Sequence, residues 1–550
     1  MRNQRYQLFL LVAIGLLWVT GCNSPNIEVH GLSFSLDEIN ERAVPLIKKG
    51  LEKGDSSFFL QDAVRFVYTN TRYAPAWSDS GQWIRCADSF FLQLTNCRSL
   101  GLFPEDYHFS ALQKIRGEII ADSLKRNIQH DPSIWAGADL LFTDAWLHFV
   151  HDVKLGRLPG DSVSLNKDSL LNDTDYYTAF LQSRNADSIR SYIASLEPVE
   201  NGYQQLKSGI PAFLSGARFT PITKLPISSK DNAVFRRLLQ KRLKELGLVT
   251  QDSLLLDSAQ IAAAVKEFQK DRDITVDGKA GGGTIRMLNM DDGEKFIRIA
   301  ISMDKYKKLP ARMPEKYIWV NASSNLLRVM EGGKQKFISR VVTGKPLTRT
   351  PMLTSALSAL ITYPQWVPPA SIILKEILPS VKKNPGYLAK KGFSLLDSKG
   401  DEVDPYSVDW TKYNKSIPYK VVQGSGDANA LGIIKFYFDN KYAVYLHDTN
   451  QRYLFGNAMR NLSHGCVRVQ EWRNLLYYVL QKDSLLSGAS RRDSVNTWLK
   501  NKEKRQITLK ARIPVFIRYL TCEGQNGRII FYDDVYGDDK MLRENYFSRK

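Results

Sequence analysis

The residue types that could do covalent chemistry gather in the C-terminal half of the chain. Of the seven histidines, only His447 and His464 lie there, and both are near Cys466. A thiol attacks a carbonyl as thiolate, and an adjacent imidazole can take the proton or stabilise the resulting ion pair. His447 precedes Cys466 by 19 residues, so they can meet only where a sheet joins a strand end to a later turn.

The segment Ser463-His464-Gly465-Cys466 suits a nucleophile. Gly465 allows a tight turn, and the N–H groups of Gly465 and Cys466 are predicted to hold an oxyanion. The alternative is a buried structural cysteine beside two satisfied histidines, which is the usual role of a lone cysteine. A histidine and a cysteine paired within one short motif favour the catalytic interpretation.

The flanking patterns predict the elements that position these groups. Ile433–Phe438 and Lys441–Leu446 are apolar and aromatic, which indicates a β-hairpin turning at Asp439-Asn440 and ending at His447. Glu471–Gln481 has the apolar spacing of an amphipathic helix. Cys466 is therefore expected on a connection ahead of a helix.

His447-Asp448-Thr449 followed by Ser463–Arg468 resembles the signature of the L,D-transpeptidases, enzymes that crosslink peptidoglycan. The resemblance implies Cys466 as nucleophile and His447 as base. It also implies that Arg468 lies near substrate carboxylates and that Ser463, His464 and Gly465 shape the site. The chain departs from the pattern at Asn450, where longer members usually have proline.

The resemblance also implies a reaction and its partners. Donor tetrapeptide stems of peptidoglycan would acylate Cys466 and release D-Ala, and an amine of an acceptor stem would resolve the thioester as a 3→3 crosslink. Water as acceptor would make an L,D-carboxypeptidase, and a protein amine would make an attachment enzyme. Carbapenems should acylate Cys466. No metal or organic cofactor is implied.

Length and charge bound the alternatives. A chain of 550 residues is too long for one core, so three or more units are expected. The formal charge of +19 suits an anionic polymer or a membrane surface. Nucleic acid would fit the charge equally well, but the N-terminus indicates export and argues against it.

The first residues have the pattern of a secretory signal. Arg2 and Arg5 precede the apolar run Leu8–Val19, which is short for a membrane span. Val19-Thr20-Gly21-Cys22 resembles a bacterial lipoprotein processing site with Cys22 as the lipidated residue. An uncleaved signal anchor is the alternative. Both predict a periplasmic protein held at a membrane, with the choice of inner or outer membrane open.

Export permits disulfides among the remaining cysteines, Cys86, Cys97 and Cys522. Cys86 and Cys97 could form a disulfide, but the sequence does not establish it, and Cys522 would then have no cysteine to pair with. We interpret all three as structural.

The sequence predicts a multidomain α+β protein. It consists of a helical scaffold domain, a small three-helix peptidoglycan-binding-like module, and a β-rich L,D-transpeptidase catalytic domain with a lid-like insertion. The predicted boundaries are a signal at 1–21, the tether and scaffold at 22–230, the module at 231–290, the catalytic domain at 291–540 with the insertion at about 364–420, and a charged tail at 541–550.

The module and the insertion carry two further hypotheses. Phe268-Gln269, Val276-Asp277-Gly278 and Gly283-Thr284 resemble a peptidoglycan-binding module, and a helical spacer without ligand is the alternative. A long insertion inside a domain is usually functional, and in longer L,D-transpeptidases a similar one covers the active site. Trp366 and Tyr445 are candidates to line the substrate groove, or ordinary core aromatics.

A hypothesis from another class is a non-catalytic lipoprotein that tethers the envelope to peptidoglycan. Its site would be a decayed remnant. The complete set of His447 and Ser463–Cys466 argues against decay, because loss of one of these residues would be its expected trace.

Overall fold

The computed structural model describes residues 38–53, 58–123, 131–161, 163–165, 171–227, 231–250, 256–272, 276–483 and 488–547. The predicted signal and Cys22 lie outside these ranges. Within the described ranges, no helix combines the length and the apolar character that crossing a membrane requires.

The N-terminal region is helical, as the apolar spacing predicts. Its longest helix, Pro132–Lys154, begins with Asp131 capping the Ser133 N–H and with proline at the first helical position. Tryptophans pack in its core, with Trp77 and Trp146 fully buried. The helices are α1 Ile39–Lys53, α2 Gln61–Asn70, α3 Arg85–Thr95, α4 Phe109–Ser123, α5 Pro132–Lys154, α6 Asp173–Ser183, α7 Ile189–Leu196 and α8 Asn201–Gly216, with the short strands β1 Ser78–Asp79 and β2 Gln82–Trp83.

A separate small core belongs to the three-helix module, α9 Asn232–Glu245, α10 Ser258–Asp271 and α11 Gly282–Leu288. The buried Gln269 side chain accepts the N–H groups of Asp277 and Gly278 and donates to Thr284 Oγ1. One amide therefore ties the turn after α10 to the start of α11. The prediction of three helices over this segment is confirmed.

Helix α12, Asp292–Lys307, joins the N-terminal region to the C-terminal domain. Its Phe296 and Met303 share a buried cluster with Tyr203 of α8 and with Trp319 and Phe516 of the sheet. Because this cluster includes residues from three parts of the chain, the sheet of the C-terminal domain packs directly against the helices that precede it.

The C-terminal domain is built on a nine-stranded sheet in the order β11-β5-β12-β10-β9-β6-β13-β3-β4. Strand β4 also pairs with β5, so the sheet closes into a barrel. The strands are β3 Lys316–Asn321, β4 Leu326–Glu331, β5 Lys334–Gly344, β6 Leu353–Thr362, β7 Phe393–Leu396, β8 Lys420–Gln423, β9 Ile434–Phe438, β10 Leu446–His447, β11 Asn461–Ser463, β12 Val467–Val469, β13 Arg505–Arg518, β14 Cys522–Gln525 and β15 Arg528–Phe531, of which β7–β8 and β14–β15 form separate pairs.

The predicted two-residue hairpin after β9 is wrong. Strand β10 has only two residues, and the connection from Asp439 to Tyr445 is wide. The Asn440 side chain causes this, because it donates to the carbonyls of Phe438 and Val444 and accepts the N–H groups of Tyr442 and Val444. An asparagine that hydrogen-bonds the backbone competes with strand pairing. His447 still ends the second strand, as predicted.

The remaining helices lie in the C-terminal half: α13 Ala370–Ile372, α14 Leu378–Lys383, α15 Tyr387–Lys390, α16 Trp472–Lys482, α17 Gly488–Lys500 and α18 Asp538–Tyr546. Helix α16 matches the predicted amphipathic helix. The segment predicted as a charged tail is helical over most of its described length. Its Phe547 is 2% exposed and packs with Ile297 and Ile301 of α12, since an apolar anchor outweighs the charged residues around it.

The predicted insertion folds as a unit between β6 and β9. Helices α13 and α14 are joined by a π-helical turn, Ile373–Ile377, and the antiparallel pair β7–β8 closes the unit. It has its own core, which includes Leu378, Leu388 and Trp410. A core of this kind makes the insertion an ordered body rather than a loose loop.

Candidate functional site

Five polar side chains share one face of three neighbouring strands, and we call this set the reactive face: Lys435, Tyr445, His447, Cys466 and Arg468. Strands β10 and β12 are parallel, with His447 opposite Arg468. Strands β9 and β10 are antiparallel, with Lys435 opposite His447. Lys435, His447 and Arg468 therefore form one row across the sheet, and Tyr445 and Cys466 precede it by two residues each along their strands.

The other face of these strands is apolar. Phe436, Leu446 and Val467, which alternate with the reactive face, are fully buried. A shift of one residue in the strand register would bury three charged or titratable side chains and expose three large apolar ones. The alternation therefore selects a single register. The sheet core thereby sets the position of the nucleophile candidate.

The turn that carries Cys466 is held by the Ser463 hydroxyl. Ser463 Oγ donates to the Cys466 carbonyl at 2.6 Å and accepts the Gly465 N–H at 3.1 Å. Gly465 has φ +121°, a backbone conformation that strongly favours glycine. Thr350 Oγ1 supports the turn from outside by donating to the Gly465 carbonyl at 2.8 Å.

The two amide N–H groups predicted to bind an oxyanion differ in whether they already have an acceptor. The Gly465 N–H already donates to Ser463 Oγ. Within the described part of the chain, the Cys466 N–H has no hydrogen-bond acceptor. The Cys466 amide is thus the donor that is free to meet a developing negative charge.

His447 is buried at the end of β10, with one ring nitrogen committed. Nδ1 contacts the Asp448 carbonyl, which can only accept, so this contact favours the tautomer with the hydrogen on Nδ1 and the lone pair on Nε2. The backbone of Leu431 is a second hydrogen-bond partner of the ring. Burial lowers the pKa of His447 to about 3, and the positive charges of Arg468 and Lys435 add to this effect. The imidazole is therefore a neutral base in the resting protein.

Cys466 is partly exposed, and its Sγ lies 3.9 Å from the Ala443 carbonyl. Burial raises the pKa of the Cys466 thiol, whereas the backbone and hydroxyl of Tyr445 and the charges of Lys435 and Arg468 act to lower it. The burial effect dominates. The resting pair is therefore a thiol and a neutral imidazole, rather than a preformed ion pair.

The two aromatic candidates lie at this site. The Tyr445 ring is 5.7 Å from the His447 ring in an edge contact. Interaction with the thiol adds to the burial that raises the pKa of Tyr445, while Trp366 acts to lower it. Trp366 stands at the base of the insertion, where its backbone pairs with Gln423. Both rings are half-buried rather than core residues.

Arg468 is held at the edge of the reactive face. Its Nη1 donates to Gln451 Oε1 at 2.7 Å. Its Nε is buried without a hydrogen-bond partner in the described ranges. A buried guanidinium nitrogen with nothing to donate to is costly, so this position suits a negatively charged ligand.

Asp448 has a supporting role behind the histidine. Its Oδ2 accepts the Ile433 N–H at 3.1 Å and Arg452 Nη2 at 2.9 Å. Gly432, at φ +63°, provides the space that this carboxylate occupies, because a Cβ there would lie 2.3 Å from Asp448 Oδ2. The carboxylate thus fixes the chain that enters β9 against the end of β10.

The insertion contacts the motif through one side-chain hydrogen bond. His464 Nε2 contacts Glu376 Oε1, which lies on the π-helical turn of the insertion. The exposed fractions of the two side chains are 31% and 49%, so the pair is accessible to solvent. It is a side-chain link between the insertion and the turn that carries Cys466.

Replacing Glu376 with glutamine is expected to loosen the insertion without unfolding the protein. A solvent-exposed side-chain contact to a carboxylate contributes less than about 1 kcal/mol, so the unfolding temperature should hardly change while amide hydrogen exchange over residues 364–423 becomes faster. Glu402→Gln, at an exposed carboxylate of the same insertion, is the matched control. Equal exchange in the two variants would contradict a role for the His464–Glu376 pair.

Sequence reasoning missed Lys435 and Glu376. Lys435 is a polar position in the apolar–polar alternation of Ile434–Phe438, so the sequence indicated that its side chain lies on the face opposite the core. Its position opposite His447 depends on the register of two strands. Glu376 lies 88 residues from His464 in sequence, and no local pattern marks it.

The other cysteines are separate from this site. Cys86, Cys97 and Cys522 are free and buried, with no disulfide among the described cysteines. Burial raises the pKa of Cys522 to about 12 and that of Cys97 still further. The thiols of Cys97 and Cys522 therefore stay protonated at neutral pH. In the described ranges, no three or more His, Cys, Asp or Glu side chains form a set that could hold a metal ion.

Three parts of the chain match known domain families. Residues 315–485 match the family described as "L,D-transpeptidase catalytic domain". Residues 62–209 match the "Scaffold domain", and residues 233–288 match the "Putative peptidoglycan binding domain". The match at 315–485 contains the whole reactive face.

Individual relatives were also found. A curated protein of Haemophilus influenzae, described as "Putative L,D-transpeptidase", is 36% identical over 225 residues, which are 41% of this chain and 45% of that protein. The chain thus spans less than half the length of this relative. A solved L,D-transpeptidase of Stackebrandtia nassauensis aligns with 54% of this chain and 96% of its own, at 18% identity and a TM-score of 0.19. The Ldtfm–avibactam carbamoyl enzyme aligns with 49% and 84%, at 11% identity and a TM-score of 0.16.

Proposed function

We propose that this chain, whose residues 315–485 match an L,D-transpeptidase catalytic domain, forms 3→3 peptidoglycan crosslinks through an acyl-enzyme on Cys466. The observation that carries this proposal is the reactive face. It combines a partly exposed thiol, a neutral buried imidazole and two cations, one on each side of that imidazole.

In the proposed first half-reaction, Cys466 Sγ attacks the carbonyl carbon of the bond between the L-centre and D-Ala in the donor stem. The thiol proton passes to His447 Nε2, which is available in the tautomer whose Nδ1 donates to the Asp448 carbonyl. The Cys466 N–H faces the oxyanion of the tetrahedral intermediate. When the C–N bond breaks, the amine of D-Ala takes the proton from imidazolium His447, leaving a thioester.

In the second half-reaction, a side-chain amine of an acceptor stem attacks the thioester carbonyl. Neutral His447 takes a proton from that amine and returns it to the departing sulfur, so the thiol is restored. With water in place of the amine, the same steps give an L,D-carboxypeptidase, and with a protein amine they give an attachment reaction. The insertion contacts His464, and a site that it covers during the reaction would exclude water and so favour the stem acceptor.

Peptidoglycan binding by the module is part of the proposal. A cleft of about 550 Å³ separates the module from the C-terminal domain. It is lined by Arg272 and Lys279 on one side and by Arg340 and Asn457 on the other, and the Arg286–Asp533 ion pair at 2.5 Å joins its walls. A polar cleft of this size suits a glycan strand or its stem peptides.

We further propose that the protein is lipid-anchored through Cys22 in the periplasm. The support is the sequence at Met1–Cys22 and the charge of +19, which suits work beside an anionic wall polymer. Cell fractionation of Cys22→Ala tests the anchor, since the variant should leave the membrane fraction. A variant that remains in that fraction would contradict lipidation at this residue.

The deciding experiment incubates the protein with a purified disaccharide-tetrapeptide and separates the products by mass. A dimer formed with loss of one D-Ala, carrying the linkage between the two third residues of the stems, supports the transpeptidase. A tripeptide product alone would replace it with the carboxypeptidase. Absence of both products with folded protein would favour the non-catalytic wall-binding lipoprotein.

A further inference from the structure

The ammonium of Lys435 is enclosed by aromatic rings on the reactive face. Its Nζ lies 3.8 Å from the centroid of the Tyr445 ring and 5.4 Å from that of Tyr437. The side chain is half-buried. These contacts are cation–π interactions, which hold an ammonium in place without neutralising it.

No anion of the protein pairs with this ammonium. Within the part of the chain that the structure describes, Lys435 has no ion pair within 4.0 Å and no side-chain hydrogen bond. The nearby carboxylate of Asp439 instead accepts the hydroxyl of Tyr437 at 2.9 Å. Burial accordingly lowers the pKa of Lys435, and only the Cys466 sulfur acts to raise it.

The row of Lys435, His447 and Arg468 is therefore net positive. Arg468 is bonded to the neutral amide of Gln451 and leaves its Nε unpaired. A half-buried charge without a partner is unfavourable unless a ligand supplies the opposite charge. Two such charges on either side of one base indicate that the substrate is an anion.

We propose that Lys435 binds the C-terminal carboxylate of the donor peptide and so restricts the enzyme to donors that end one residue after the scissile bond. This inference rests on the proposed acylation of Cys466. In such a donor, only the amide nitrogen and one Cα separate the scissile carbonyl carbon from the terminal carboxylate. The cation that receives it must lie within one residue's length of Sγ. Lys435 Nζ lies 3.8 Å from the centroid of the Tyr445 ring, the Tyr445 hydroxyl hydrogen-bonds Cys466, and the charge of Lys435 acts on the Cys466 sulfur.

Lys435 fits this role better than Arg468. Arg468 Nη1 already has an acceptor in Gln451, whereas Lys435 has three N–H groups and no acceptor in the described ranges. Arg468 is then left for a second carboxylate of the stem. Pairing Lys435 with a carboxylate also removes part of the positive field that opposes protonation of His447, so a bound donor makes proton transfer from the thiol easier.

The test compares two donors that differ by one charge, a stem tetrapeptide and the same peptide with a C-terminal amide. The readout is the rate of acyl-enzyme formation by intact mass, with release of D-Ala or D-alaninamide. We expect the wild type to prefer the acid by roughly tenfold or more. Lys435→Gln should bring the acid rate and the amide rate to the same value, whatever that value is, and Lys435→Arg should keep most of the preference.

Lys441→Gln is the matched control. It removes a lysine that is exposed, lies in the loop after β9 and contacts a tyrosine ring, that of Tyr442, at 5.3 Å. The control should keep the acid preference, which excludes a general effect of net charge. Thermal unfolding of each variant shows whether it is folded.

Three results would overturn the inference. They are a wild type that acylates acid and amide equally, a folded Lys435→Gln that keeps the preference, and a Lys441→Gln that loses it. The wild-type comparison stands even if Lys435→Gln does not fold. Failure of the proposed function looks different, because a wild type that is folded but acylated by neither peptide nor a carbapenem has no working nucleophile.

Discussion

Replacing Cys466 with alanine is expected to abolish acylation, with a loss of about 10⁴-fold or more in the rate of adduct formation. The reason is that no other described cysteine can substitute for it. Cys86, Cys97 and Cys522 are buried and lie outside the reactive face. Intact mass after incubation with a carbapenem measures the effect: one adduct on the wild type and none on Cys466→Ala.

Cys86→Ala is the matched control, because it removes a free cysteine from the N-terminal helical region. It should acquire the same single adduct as the wild type. An adduct that persists on Cys466→Ala would place the nucleophile elsewhere. A folded wild type without any adduct would move the interpretation towards a wall-binding protein, or towards an insertion that must open first.

Replacing His447 with glutamine is expected to lower the acylation rate by roughly 10²- to 10⁴-fold. The variant keeps a polar side chain at the end of β10 but has no basic nitrogen to receive the thiol proton. Since the pKa of Cys466 is raised by burial, little thiolate forms without a base at neutral pH. The loss should therefore shrink as the pH rises and hydroxide deprotonates the thiol.

The pH dependence of the wild type follows from the direction of the histidine shift. A pKa of about 3 means that His447 is neutral, and so able to act as base, at every pH above that value. Acylation of the free enzyme should show no inflection near the usual histidine pKa of about 6.5 and should fall only as the pH approaches about 3. Rates of carbapenem adduct formation between pH 4 and 9 test for the absence of an inflection near pH 6.5.

An inflection near pH 6.5 in the wild type that disappears in His447→Gln would contradict a base held neutral by burial. It would indicate that the thiol and imidazole form an ion pair before the substrate arrives. Thr449→Ser serves as a control for the profile, because Thr449 lies two residues after His447 and uses only its hydroxyl oxygen, which accepts the Gln451 N–H.

Local patterns were sufficient for much of the fold. Helix α10, Ser258–Asp271, lies within the predicted three-helix module, because its apolar positions repeat at helical spacing and Asp257 caps it. The tight turn before Cys466 was also predictable, since a glycine in that position allows the positive φ that the structure has. Such features depend on residues that are neighbours in sequence.

The loop after β9 shows where local patterns fail. Apolar alternation around Asp439-Asn440 favours a two-residue turn, but the Asn440 side chain bonds four backbone groups and widens the loop. Phe547 shows the same limit at the C-terminus. Its charged neighbours indicate a solvated tail, and only the apolar surface of α12 makes a buried anchor of it.

The sequence by itself determined which residues could do chemistry and which elements carry them: a thiol after a glycine turn, and a histidine at a strand end. The tertiary structure alone decided their surroundings. The register of β9, β10 and β12 places Lys435 and Arg468 on either side of His447, and the fold of the insertion brings Glu376 to His464. The physical reason is that residue types and turns are local properties, whereas burial and the electric field at a site arise from residues that are distant in sequence.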